Sequence, residues 1–349
     1  MTEMLHLPVT DRSAWKVADM ERDRSWVYEL TADALAEIDG AIAAVGARGL
    51  RAGEFAAADF DLPILKGVMR SVLDQVQNGR GAALIRGLPV EKYDADVLSS
   101  LLWGLGIQIG RPLPQRASLN LGGVRDNLIA HITDQGLDYN APNVNGSATS
   151  AEQLPHTDPA DVVALLCVRK ARSGGISRVV SAVTLHNDVL ERAPDLLGPL
   201  YDGYLYDMRG DAANSSGQEV TDGRIPIFTY HAGKLSCVFN AKMIETAQRK
   251  LGTALPMRER AALDLLLERA LAPENRLDMD LQPGDLQIIS NYTMLHARTG
   301  WVEQADPALR RLMLRLWLRV EGFRDIAPGV ASGYVRGSTV DVGAAAAQY

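Results

Sequence analysis

Six histidines occur in the chain, His6, His131, His156, His186, His231 and His296, and one opens a tripeptide with a chemical reading. In His156-Thr157-Asp158 an imidazole and a carboxylate stand two residues apart, so extended backbone points both to one side. Such a pair offers one nitrogen and one oxygen to a metal ion. Taken alone a His-x-Asp is a weak signal, since a loop histidine bonded to a nearby carboxylate is its commoner meaning. A second imidazole from His296 would complete a 2-His-1-carboxylate facial set, which leaves iron positions open for substrate and oxygen chemistry. A third feature follows His296. From Arg311 the chain alternates, with Leu312, Leu314, Leu316 and Leu318 on one face and Arg311, Met313, Arg315, Trp317 and Arg319 on the other. The leucine face must be core. The arginine face suits the interior of a wide barrel holding an anionic ligand, or an exposed sheet face with solvated charges; the strand pattern leaves both open.

Several other chemistries are missing. There is no Walker loop, His-Glu-x-x-His, Cys-x-x-Cys or Gly-x-Ser-x-Gly. Gly104, Gly106 and Gly110 have the wrong spacing for a dinucleotide turn and follow a helical pattern instead of a strand. Lys+Arg 36 against Asp+Glu 43 gives a net charge of −7, which argues against nucleic acid or an anionic membrane as partner. The two cysteines, Cys167 and Cys237, sit in apolar runs as buried thiols do, so a disulfide-stapled secreted fold is not expected. The start lacks a signal-peptide layout, and the longest apolar run, Val162 to Val168, is far short of the roughly 18 residues of a membrane span. A cytoplasmic protein is expected.

The elements that must position these residues fall in three zones. Residues 1–110 read as a mainly helical scaffold. Thr31 caps a helix carrying Leu35, Ile38, Ile42 and Val45 that stops at Gly49; a second helix runs from Leu65 to Val76, a short strand from Ala82 to Arg86, and a third helix from Asp94 to Leu105. Residues 111–155 are rich in Asn, Gly, Ser and Asp and read as a loop serving as a lid. Residues 156–322 are strand-rich: Val162 to Val168, Ser177 to Leu185, a hairpin from Ile227 to Phe239 turning at Ala232-Gly233-Lys234, and Leu286 to Leu295. Helices near Ala241 to Leu251 and Met257 to Ala272 are inserted. Residues 333–349 read as a flexible tail. Strands without βαβ alternation predict a mostly β sandwich or barrel with α additions packed outside. At 349 residues the chain could hold about two domains, yet one site drawing on both ends of the strand-rich half favours a single catalytic domain.

His156-Thr157-Asp158, Gly174-Gly175-Ile176-Ser177, the segment from Asn291 to Arg298 and the run from Arg310 to Leu318 together resemble the TauD/TfdA-like (clavaminate-synthase-like) Fe(II)- and 2-oxoglutarate-dependent dioxygenases. The match is strongest from Leu154 to Val320, and Gly79 to Gln115 shares its character. The resemblance implies a double-stranded β-helix, or jelly-roll, core buttressed by helices. It implies that His156, Asp158 and His296 bind Fe(II), that 2-oxoglutarate chelates the iron, and that its distal carboxylate pairs with Arg311, helped by Ser177. Arg310 is the alternative to Arg311 if the register is off by one. A guanidinium suits that task because its planar fork meets both carboxylate oxygens. Arg315, four residues on, and Asn291 are implied substrate contacts. Relatives often have an aromatic residue before the His-x-Asp, where this chain has Pro155.

With the carboxylate ligand present, the implied reaction is hydroxylation of a small, anionic or amino-acid-like metabolite, using O2 and releasing succinate and CO2. Two other readings stand beside it. One is a cupin-like metal oxygenase or isomerase that does not use 2-oxoglutarate, against which Arg311 and Ser177 argue. The other is a non-catalytic jelly-roll binding protein. The implied partner is a small molecule; a homo-oligomer stays open. Of the remaining histidines, His186 reads as structural, His231 lies at the hairpin turn, and His131 could reach the pocket from the lid.

Overall fold

The computed structural model describes residues 3–115, 128–141, 144–208, 219–327 and Val330. The three helices of the first third lie where their caps and periodicity put them. Ala32–Ala47 starts at Thr31, whose hydroxyl accepts the Ala34 N–H, and ends just before Gly49 at φ +68°. Leu65–Gln77 follows, and Ala95–Gly106 is capped by Asp94, which accepts from the N–H groups of Asp96 and Val97. Their apolar faces, with Ile38, Val72, Leu101 and Leu105, bury against Leu312, Leu314, Leu316 and Leu318. Each leucine so buried contributes roughly 2 kcal/mol.

The strand bearing those leucines, Leu312–Arg319, lies inside the larger of two sheets. Across that sheet the order is Val27–Glu29, Ala82–Arg86, Leu286–Ser290, Val162–Arg169, Leu312–Arg319 and Arg111–Leu113, with Ile129–Ile132 also paired to Leu312–Arg319. Only the first pair is parallel. The smaller sheet runs Arg276–Met279, Ser177–Ser181, Met294–Arg298, Gln153–His156, antiparallel throughout. Residues from both, among them Val163, Cys167, Val179, Met294, Met313 and Trp317, share one apolar cluster, so the sheets face each other. The outer face of the smaller sheet, with Val180 and Leu295, packs with helices Ala182–Arg192, Leu197–Asp202, Ala241–Leu251 and Met257–Leu271. Helices therefore cover both outer faces, and the architecture is mixed α/β instead of mostly β.

Four sequence expectations need correction. The β-rich run from Ser177 ends at Ser181, whose side chain accepts the Thr184 N–H and starts helix Ala182–Arg192. Leu286 to Leu295 is not one strand: it breaks at Asn291-Tyr292-Thr293, where the chain crosses from the larger sheet to the smaller. The stretch 111–155 is not all loop, because Arg111–Leu113, Ile129–Ile132 and Gln153–His156 join the sheets; strands this short show little alternation. The scaffold 1–110 likewise supplies, besides the expected strand Ala82–Arg86, an unexpected one, Val27–Glu29, to the larger sheet. The hairpin turns at Ala232-Gly233, with φ +50° and +75°, as a two-residue hairpin turn requires. Part of the expected lid, 116–127 and 142–143, and the whole tail 333–349 lie outside the described residues. No helix among the described residues is long and apolar enough to cross a membrane.

Candidate active site

The smaller sheet brings the two distant histidines together. His156 ends strand Gln153–His156 and pairs directly with His296 in the middle of Met294–Arg298, their ring centroids 4.3 Å apart. Asp158 follows two residues later. Its Oδ1 lies 3.8 Å from His156 Nε2 and its Oδ2 3.6 Å from His296 Nε2. Donor atoms of all three residues fall within 4.8 Å of one another, with each side chain half-buried. Thr157 points the other way, buried, where its hydroxyl accepts the Phe239 N–H at 3.0 Å. That is the alternation expected of extended backbone.

Protonation states suit metal ligation. His156 Nδ1 lies 2.8 Å from the Leu154 carbonyl, which can only accept, so Nδ1 carries a proton and Nε2 is the nitrogen turned to Asp158. His296 Nδ1 is buried with no hydrogen-bond partner among the described residues. Burial, reinforced by His156, holds the His296 pKa down at about 3 despite Asp158, so the ring is neutral. Burial pushes the Asp158 carboxyl up, but the Arg315 guanidinium, helped by the Trp317 indole, outweighs it and holds the carboxyl below the usual carboxylate range. Two imidazoles and one carboxylate are the donor set of a mononuclear non-haem iron site, and these residues fit it.

Asp158 is held from three sides. Its backbone N–H donates to Asn291 Oδ1 at 2.9 Å, and Asn291 Nδ2 donates to the Ala160 carbonyl. Its Oδ2 accepts from Arg315 Nη1 at 3.0 Å and from Trp317 Nε1 at 2.9 Å. Arg315 Nε in turn donates to Gln115 Oε1 at 2.8 Å, while Arg315 Nη2 is buried without a partner among the described residues. Asn291, expected against substrate, instead spends both amide atoms on the loop after Asp158.

Arg311 occupies a second corner of the interior. It is 4 % exposed, whereas Arg310 is exposed and its carbonyl accepts from Arg169 Nε; the inward arginine is therefore Arg311. Its guanidinium lies 4.6 Å from the Trp301 ring centroid, and its Nη1 is buried with no partner among the described residues. Burial lowers its pKa to about 10. Arg298, two residues after His296, stacks on the same Trp301 ring at 4.0 Å and bonds the carbonyls of Thr149 and Ala151. Sequence reasoning missed it, although its period-2 spacing from His296 was the available signal. Ser177 Oγ donates to Gln287 Oε1 at 2.6 Å. Gln287, a buried amide between Leu286 and Ile288, was also missed.

The other histidines stand apart from this site. His131 pairs with Leu314, whose side faces the helices, so it points out of the interior. His186 is buried in helix Ala182–Arg192, bonded to the Tyr201 hydroxyl at 2.9 Å, and His231 sits 3.5 Å from Asp325 near the hairpin turn. Both cysteines are free and buried.

Two facing sheets with a His/Asp/His cluster at one end and buried arginines on the last strand define a class of metal-dependent oxygenase scaffold. Residues 47–317 match the Taurine catabolism dioxygenase TauD, TfdA family, and the chain belongs to that family. FR-33289 synthase of Streptomyces rubellomurinus (strain ATCC 31215) is 32% identical over 337 residues, covering 95% of this chain and 96% of that protein. The taurine hydroxylase-like protein SAT17 of Stachybotrys chartarum is 25% identical over 321 residues, 88% of this chain and 79% of its own. Among solved structures, asparagine oxygenase in complex with Fe(II), 2S,3S-3-hydroxyasparagine and succinate superposes with a TM-score of 0.62 at 16% identity, covering 84% of this chain and 93% of its own. The non-heme iron oxygenase OrfP in complex with Fe and alpha-ketoglutaric acid superposes at 0.60 with 14% identity and the same coverage.

Proposed function

We propose that this family member is an Fe(II)- and 2-oxoglutarate-dependent oxygenase that hydroxylates a small, anionic or amino-acid-like metabolite. The observation that carries the reading is the convergence of His156 Nε2, His296 Nε2 and the Asp158 carboxylate in one accessible cluster. In this reading the facing sheets are the two halves of a jelly roll. His156, Asp158 and His296 hold Fe(II), which with 2-oxoglutarate and O2 bound supplies oxidative decarboxylation to succinate and CO2 coupled to insertion of one oxygen atom into a C–H bond.

The chain's own groups bind and orient. Arg311 takes the distal carboxylate of 2-oxoglutarate: its buried, unpartnered Nη1 meets an anion without giving up an existing bond. Trp301 braces that guanidinium and keeps water from it. Ser177 adds a second donor by turning its hydroxyl from Gln287. Arg315 offers Nη2 to an anionic group of the substrate. Asn291 holds the Asp158 loop and touches no substrate.

The test is a succinate and oxygen-uptake screen against amino acids, sulfonates and natural-product intermediates. One substrate should give succinate and a hydroxylated product in step, only with Fe(II) and 2-oxoglutarate, and Arg311→Met should raise the KM for 2-oxoglutarate. Product formation without 2-oxoglutarate, or full activity in His156→Ala, would sink the reading. Charge selection is tested separately by Arg315→Met: unchanged affinity for the substrate found removes the anionic-substrate part.

A further inference from the structure

The geometry points to Trp317 as a positioning residue that, with Arg315, keeps Asp158 a one-oxygen metal ligand; this rests on the metal reading proposed above. Trp317 Nε1–H and Arg315 Nη1 both donate to Asp158 Oδ2, at 2.9 and 3.0 Å. Trp317 is 4 % and Arg315 7 % exposed, so water does not compete well for either bond. The two donors are mutually braced. Residues i and i+2 of one strand share its inward face, and the Arg315 guanidinium lies 4.7 Å from the Trp317 ring centroid. Strand pairing fixes Trp317 between Val163 and Leu113.

A carboxylate oxygen has about two good acceptor directions, and both of those on Oδ2 are taken. Oδ1 accepts no hydrogen bond among the described residues and faces His156 Nε2. The carboxylate thus presents one oxygen with lone pairs to spare. A facial triad is useful because it leaves positions for two-point chelation by a 2-oxo acid and for O2. A carboxylate free to bind through both oxygens would occupy one of them. Two rigid donors on Oδ2 prevent that, and the arginine alone, flexible and shared with Gln115, holds the plane of the carboxylate less firmly than the indole.

Trp317→Phe keeps a ring over Arg315 and deletes the donor; Trp317→Met deletes it with an unbranched filler, so loss of fold in one variant leaves the other to decide. The full chain is titrated with Co(II) without oxygen, and its visible ligand-field spectrum is recorded with and without 2-oxoglutarate. Co(II) binding should weaken about 10-fold, the lower end of the usual effect of removing a ligand's supporting hydrogen bond. The ligand-field bands should also lose intensity, as expected when a freed Oδ2 raises the coordination number, while far-UV circular dichroism stays unchanged. Unchanged affinity together with a superimposable spectrum in a folded variant overturns the inference. The metal reading itself fails differently: wild type takes up no stoichiometric Co(II), or Asp158→Ala binds it as tightly as wild type.

Discussion

Gly175 stands so close to Arg311 that a methyl group built on its Cα would lie 3.1 Å from Arg311 Nε. Its φ of +70° adds backbone strain for any side chain, roughly 1 kcal/mol or more. Gly175→Ala should therefore shift the guanidinium. The KM for 2-oxoglutarate should rise about tenfold, equivalent to loss of one charge-assisted hydrogen bond, with metal affinity unchanged. Steady-state kinetics beside a metal titration checks this; a metal affinity that falls in parallel would count against a local effect.

Asp158 is also the counter-charge of a buried arginine. Asp158→Ala should abolish turnover and destabilise the fold by about 3–5 kcal/mol, because Arg315 is left buried and uncompensated. Adding Arg315→Met should recover most of that stability without recovering activity. Urea unfolding of the two variants decides it: an equally unstable double variant means the loss came from elsewhere.

Asn291 tests positioning against substrate contact. Asn291→Ala removes an acceptor from the Asp158 N–H and a donor from the Ala160 carbonyl, which should cost about 1–3 kcal/mol of stability. Turnover should fall while the KM for the primary substrate hardly moves. A KM effect without a stability effect would return Asn291 to the substrate pocket.

His186 is fully buried, and burial lowers its pKa from 6.5 to about 4. Below pH ~6.5 the unfolded chain binds a proton there that the folded chain refuses until about pH 4, so stability is full above that window and falls as pH drops through it. The share carried by His186 is about 3 kcal/mol. His186→Gln should flatten the stability-versus-pH curve between pH ~6.5 and ~4; an unchanged slope in denaturant titrations would refute the assignment.

Local patterns in the sequence were enough for the parts governed by neighbours along the chain. Thr31 and Asp94 announce their helices because a capping side chain bonds within three residues. Leu312 to Leu318 announce a buried face because side chains alternate every two residues. His156-Thr157-Asp158 announces an imidazole and a carboxylate on one side of the chain for the same reason, which by itself is only a weak sign of a metal. Tertiary structure decided whatever depends on register between distant strands. It set His296 opposite His156, turned His131 toward the helices, buried Arg311 and left Arg310 outside. It also broke the run from Leu286 at Asn291, where the chain changes sheets across the polar segment Ser290-Asn291-Tyr292-Thr293; that dip was visible in the sequence, but the change of sheet was not. Most of all it chose the partners of Asp158: Arg315 and Trp317 read only as an inward face, and their meeting on one carboxylate oxygen exists only once Leu312–Arg319 has docked beside Val162–Arg169. Periodicity encodes which side a residue faces; which distant group it meets there is set by packing of the two sheets.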